Sequence, residues 1–130
     1  MIKFGILGNP SNSKDSKIVT LSGNDFGKSF EIKPAGVFGK DKWENYHLKE
    51  IELCKNWLKF NALPRKTMNK NQSSYGLKHV VEDEVGEYIS NGAFIRAAVE
   101  FGYTGYWDKG LNCNFNMTFG VIFKEQNIIK

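Results

Sequence analysis

The chain has only two cysteines, Cys54 and Cys113, too few for the disulfide framework of a small secreted domain. Cys54 falls in a helical pattern and is expected to be a small core residue. No Cys/His cluster has the spacing of a zinc site, so neither a metal nor a cofactor is expected. No apolar run reaches the roughly 18 residues of a transmembrane helix, and no membrane partner is expected. The opening Met1-Ile2-Lys3-Phe4-Gly5-Ile6-Leu7-Gly8 is too short and too soon broken for a signal peptide. These absences point to a cytoplasmic setting, where the sequons Asn71-Gln72-Ser73 and Asn116-Met117-Thr118 carry no meaning. One further absence is local: residues 53–81 hold six Lys/Arg and no acidic residue.

What remains is the composition of one folded domain. At 130 residues the chain has room for one core, which buries roughly two thirds of the unfolded surface without a staple. Ten Phe, five Tyr and three Trp exclude a disordered chain. The net charge of +4 is modest for a duplex-DNA binder, but it averages over a dipole. The cations Lys55, Lys59, Arg65, Lys66, Lys70 and Lys78 precede a stretch, residues 82–103, with five acids and one Arg. Such a block attracts anionic surfaces, and salt weakens the attraction.

The pattern predicts an α+β fold over residues 1–130. Lys3 to Leu7, Lys17 to Ser22 and Ser29 to Lys33 read as strands of an N-terminal antiparallel β meander, with turn signals between them. Asp41 is placed to cap a helix running to about Phe60. Trp43, His47, Ile51, Cys54 and Leu58 recur along one face of it, and Pro64 stops it. Residues 65–72 are polar, basic and without period, the segment expected to be most mobile in the middle of the chain. Ser73 or Ser74 caps a second helix, Tyr75 to Val85, and Gly86 closes it. Glu82, Asp83 and Glu84 crowd its C-terminal end, where the helix dipole disfavours them, so a basic partner or a role is expected for them. Ser90-Asn91 caps a third helix, Gly92 to Phe101, whose apolar face and two alanines mark it as a core helix. After Gly102 the aromatics Tyr103, Tyr106 and Trp107 are expected to pack the last strands onto the helices. Asn112, Asn114 and Asn116 then alternate with Cys113, Phe115 and Met117, continued by Phe119, Val121 and Phe123. This is the C-terminal β hairpin, expected to join the same sheet as the meander around a central three-helix segment.

The most distinctive stretch runs Lys66-Thr67-Met68-Asn69, then Ser73-Ser74-Tyr75-Gly76-Leu77-Lys78-His79, then Glu82, then Tyr88-Ile89-Ser90-Asn91-Gly92-Ala93-Phe94-Ile95. With the upstream Trp57-Leu58 pair, it resembles a family of small phage and mobile-element proteins over roughly residues 54–103. The resemblance implies a mobile-element origin, and so a bacterial host cell. It brings no catalytic residues.

Ser73, Ser74, Lys78, His79 and Glu82 supply nucleophile, base and acid side chains, but a triad built from one helical turn is not expected, and no catalytic residue is assigned. The third helix offers only Arg96 to a DNA groove, so duplex reading is not expected either. The candidate partner-binding residues are Lys59, Arg65, Lys66, Lys70, Tyr75, Lys78 and His79. Two functions follow. One is a non-enzymatic inhibitor that binds a host protein or ribonucleoprotein, such as a CRISPR defence complex, and blocks nucleic-acid access. The other is a nucleic-acid-binding accessory or regulatory protein that uses the basic 65–78 stretch, its cations on phosphates and Tyr75 on a base.

Overall fold

The computed structural model describes residues 2–7, 17–20, 29–37, 39–108 and 110–119, with side chains from residue 31 onward. Strands β1 (Ile2–Leu7), β2 (Lys17–Thr20), β3 (Ser29–Lys33) and β4 (Gly36–Val37) form an antiparallel meander. After the helices, β6 (Gly105–Trp107) and β7 (Cys113–Phe115) form a hairpin, and β6 pairs with β1. The expected shared sheet is thus present, with strand order β4-β3-β2-β1-β6-β7. A second, unforeseen sheet pairs β5 (Ala62–Pro64) with β8 (Met117–Phe119). It ties the end of the first helix to the end of the chain's last described strand. Val121 and Phe123 lie outside the described residues.

Three helices follow the apolar periodicity. Helix α1 (Asn45–Asn61) begins four residues later than Asp41. Asp41 instead accepts the Ala35 N–H at 3.1 Å, and the N-cap position falls to Glu44. Trp43, just before the helix, is still core: it is buried, and its indole N–H donates to Ile32 O at 2.6 Å. Helix α2 (Ser74–Val85) is capped by Ser73, whose hydroxyl accepts from Gly76 N–H, and it ends in left-handed Gly86. Helix α3 (Asn91–Phe101) is capped by Ser90 and ends in left-handed Gly102.

Helix α3 is the centre of the molecule. It contacts β1, β3, β4 and β6 on one side and α1 and α2 on the other. Residues 91–99 are accordingly buried without a break, as expected for a helix enclosed on all sides. Its N-terminus comes so close to the β3–β4 turn that a Cβ on Gly92 would sit 1.8 Å from Lys33 O. Only glycine permits this approach, and the Gly92 N–H uses it to donate to Pro34 O at 2.7 Å. Two residues earlier, the N–H of the N-cap Ser90 donates to buried Glu50 at 2.9 Å, and the Ser90 hydroxyl accepts from Ala93 N–H, so the helix end leaves few orphan donors.

Charge on α3 is also enclosed. Arg96 is fully buried, its Nε donating to Glu100 at 2.7 Å and its guanidinium lying over the Trp43 ring at 5.3 Å. Glu100 also pairs with Lys55 at 2.5 Å, which removes one cation of the basic block from the surface. Both thiols are buried in this core. Burial pushes the Cys54 thiol far up, helped by the charges of Glu50 and Glu82. Burial does the same to Cys113, with Asp108 adding to it. Of the three tail aromatics, Tyr103 and Trp107 pack against the core as expected, and burial raises the Tyr103 phenol. Among the described residues, no helix is long and apolar enough to cross a membrane.

The basic connection between α1 and α2 departs from expectation. Residues 65–72 were expected to be mobile, yet they are clamped to the C-terminal strands. Arg65 N–H donates to Asn116 O at 2.8 Å and Asn69 N–H to Phe115 O at 2.9 Å. The Asn69 amide reaches Met117 O at 3.1 Å and Gln72 Oε1 at 2.9 Å. Asn114 returns the contact, donating to Asn69 O and Gln72 O at 2.9 and 3.1 Å. The amide face of the last strands, which the alternation places opposite the core, is therefore itself a set of latches. Asn112 accepts from Asn91 at 2.9 Å, and Asn116 accepts from Thr104 N–H at 2.8 Å.

Candidate functional site

The α3 N-terminus, the β3–β4 turn and the β6–β7 turn meet at one residue. The Asn91 side-chain NH2 donates toward Ala35 O at 3.1 Å, Leu111 O at 3.3 Å and Asn112 Oδ1 at 2.9 Å. Val37 N–H adds a bond to Leu111 O at 3.0 Å. The approach is again close: a Cβ on Gly36, whose φ is +136°, would fall 2.2 Å from Leu111 O. These contacts build the floor of an open groove of about 790 Å³. Its walls come from the first turn of α1 (Tyr46, His47), from α2 (Tyr75, Lys78) and from the α2–α3 connection (Tyr88).

Three tyrosines dominate the groove: Tyr46 is 63 % exposed, Tyr75 52 % and Tyr88 67 %. Each ring has a support. Tyr46 lies against the His47 ring, centroids 4.2 Å apart. Tyr75 meets His79 edge-on at 4.6 Å. Lys78 places its ammonium 4.5 Å from the Tyr88 centroid and 5.3 Å from that of Tyr75, within cation–π range of both. His47 is oriented too: Glu44 N–H donates to its Nδ1 at 2.8 Å, so the proton of the neutral ring sits on Nε2.

Lys78 is 4 % exposed and forms an ion pair with Glu82 at 3.1 Å. Glu82 is a hub. Beyond Lys78 it accepts Ile89 N–H at 3.0 Å and meets His79 Nδ1 at 2.7 Å. Burial alone would raise its carboxyl. The hydrogen bonds from Ile89, Lys78 and His79, with the Lys78 charge, outweigh burial and hold it below the usual carboxylate range. Of the three acids near the α2 C-terminus, Glu82 thus has the basic partner expected of it, and Glu84 accepts the Trp57 indole N–H.

The seven candidate residues divide. Tyr75, Lys78 and His79 come together beside the groove. Arg65 and Lys70, with Thr67, Met68 and Asn71, line a separate cavity of about 510 Å³ on the clamped loop. Lys66 and Lys59 are exposed, and Lys59 lies over Phe60. Of the six cations in residues 53–81, Lys55 and Lys78 are ion-paired, while Lys59, Arg65, Lys66 and Lys70 form no ion pair among the described residues. Lys78 is therefore an internal support of the groove and not a free surface charge. The sequence reading missed Tyr46, Tyr88 and Asn91 as groove residues. Tyr46 and Tyr88 carried one usable signal, an aromatic outside every apolar stripe.

Among the described residues, neither Ser73 nor Ser74 is hydrogen-bonded to a histidine. Ser73 caps α2, and Ser74 is fully buried with its hydroxyl accepting Cys113 N–H at 3.1 Å. Among the described residues no group of three or more His, Cys, Asp or Glu is arranged to hold a metal. No protein family, curated protein or solved structure matches the chain, so the groove is interpreted from its own chemistry.

Proposed function

We propose that the chain is a binding protein without chemistry of its own, which inhibits a bacterial defence complex such as a CRISPR effector by docking on it through the tyrosine groove. One observation carries the reading: three exposed tyrosines converge on one groove and are already braced there by His47, His79 and Lys78. Tyrosine is enriched among residues that dominate binding energy. A ring held in place before binding loses little conformational entropy on contact. The groove's cation is neutralised by Glu82, and Asp41 adds a carboxylate to the lining. A near-neutral aromatic cleft suits a protein surface better than phosphates.

The sequence blocks Ser73-Ser74-Tyr75-Gly76-Leu77-Lys78-His79 and Ser90-Asn91-Gly92-Ala93-Phe94-Ile95 also fit this reading, because Tyr75, Lys78, Ser90 and Asn91 line the same groove. The mobile-element resemblance supplies the class of partner. The test is plaque formation by a targeted phage on a CRISPR-immune host. Expression of the chain restores plaques, and the variant Tyr46→Ala/Tyr75→Ala/Tyr88→Ala does not. Each truncation at a dominant contact weakens binding by about 2 kcal/mol, or roughly 30-fold. Plaque counts with the chain equal to those with an empty vector would remove the defence complex as partner. Full activity of the folded triple variant would remove the groove.

A further inference from the structure

We propose that the clamped loop, residues 65–72, is a second binding face, and that it takes the phosphodiester backbone of single-stranded nucleic acid. Charge complementarity selects the occupant. Arg65, Lys66 and Lys70 are exposed and form no ion pair among the described residues. A cavity on this loop is lined by Arg65, Thr67, Met68, Lys70 and Asn71, with no carboxylate among these, and Lys66 is exposed next to Arg65 in the chain. Every polar side chain there has an N–H or O–H able to donate, as phosphate oxygens require, although Thr67 Oγ1 here accepts from Arg65 at 3.4 Å.

The loop is also preorganised. Asn69 is 5 % exposed and Asn114 donates to both Asn69 O and Gln72 O, so the backbone carrying the three cations is hydrogen-bonded to the last strands without any ligand. A flexible lysine-rich loop would lose that ordering entropy on binding. Base reading in a duplex major groove needs an inserted helix or ribbon. Helix α3 is enclosed over residues 91–99 and cannot serve, and residues 65–72 are a loop. An exposed single strand can instead lay its phosphates along such a loop without its bases being read.

The structure also sets the expected strength. Two of the six cations in the basic block are spent internally on Glu100 and Glu82, and the loop itself displays three. Three phosphate contacts on a single strand give a slope of log K against log salt of about −2, hence roughly 20-fold weaker binding between 50 and 200 mM salt. The experiment is fluorescence anisotropy of a labelled oligothymidylate about twelve nucleotides long with the full chain. Wild type binds with that slope. The variant Arg65→Gln/Lys66→Gln/Lys70→Gln, confirmed as folded by its thermal melt, loses binding.

Binding by this variant within about twofold of wild type would overturn the proposal. So would displacement of the oligonucleotide by polyglutamate of equal charge as readily as by unlabelled oligonucleotide, which would assign the loop to an acidic protein. Tighter binding of a duplex of the same length would also overturn it. The tyrosine-groove variant keeps oligonucleotide binding, so this proposal and the groove reading fail separately. Loss of binding in that variant too would overturn the assignment to the loop.

Discussion

Replacing Lys78 by methionine tests whether this residue supports the groove from within. Methionine keeps most of the stem and its packing but removes the ammonium. Three interactions go with it: the 3.1 Å pair with Glu82 and the contacts to the Tyr88 and Tyr75 rings. Breaking a buried ion pair from one side costs about 3–5 kcal/mol. Glu82 is less than fully buried, with 17 % of its side chain exposed, and it keeps Ile89 N–H and His79 as donors. About 2 kcal/mol is therefore the appropriate share for the pair. Each cation–π contact adds about 0.5 kcal/mol or more, for a total near 3 kcal/mol and a fall in Tm of about 10 °C for a chain of this size.

Removing both partners in Lys78→Met/Glu82→Gln leaves no unpaired charge, and the double variant recovers about 1–2 kcal/mol relative to the sum of the single changes. The acid dependence has a definite sign. The folded-state carboxyl of Glu82 is held low, so its contribution is complete above the ordinary glutamate range and is lost as pH falls through the folded value. The gap between wild type and Lys78→Met is accordingly widest at neutral pH and closes in acid. Urea melts followed by circular dichroism at neutral and acidic pH measure it. A gap under about 1 kcal/mol at neutral pH, or one that widens in acid, would refute the account of Lys78 as a buried partner of Glu82.

Asn114→Ala leaves Asn69 O and Gln72 O without their donor. It lowers stability by about 2–3 kcal/mol and speeds amide exchange across residues 65–72, and unchanged exchange there would count against the clamp. Gly76 is exposed on α2, and an added Cβ meets nothing within 4 Å. Gly76→Ala thus raises unfolding free energy by about 0.5–1 kcal/mol, and a destabilised variant would contradict the open space seen there. A simultaneous loss of partner binding would locate the partner against this backbone. Cys54 and Cys113 are fully buried and their thiols are pushed up, so Ellman's reagent at pH 8 labels them only as fast as the chain unfolds. Rapid native labelling of either thiol would contradict its burial.

Much of the fold was legible because periodicity reports burial directly. The stripe Ile51, Cys54 and Leu58, the Ser73 and Ser90 caps, the Gly86 and Gly102 stops and the alternation of Cys113, Phe115 and Met117 each encode a local preference that tertiary packing leaves intact. The misreadings share a cause, which is that a polar side chain does not announce its partner. Asp41 resembles a helix cap but holds Ala35 N–H. The alternating asparagines of the last strands carry no sign of their partners, yet they latch the loop and the turns. Lys78 resembles one more surface cation, yet it is buried on Glu82 between two tyrosines.

The sequence by itself determined the α+β class, the three helices with all their ends but the start of the first, and the separation of cations from acids along the chain, all of which depend on neighbours a few residues apart. Only the tertiary structure decided which of those cations face solvent, that the basic loop is hydrogen-bonded to the last strands, and that Tyr46, Tyr75 and Tyr88 share a groove. Those facts depend on contacts between residues tens of positions apart. There the chain's path through space, and not any local preference, chooses each side chain's partner.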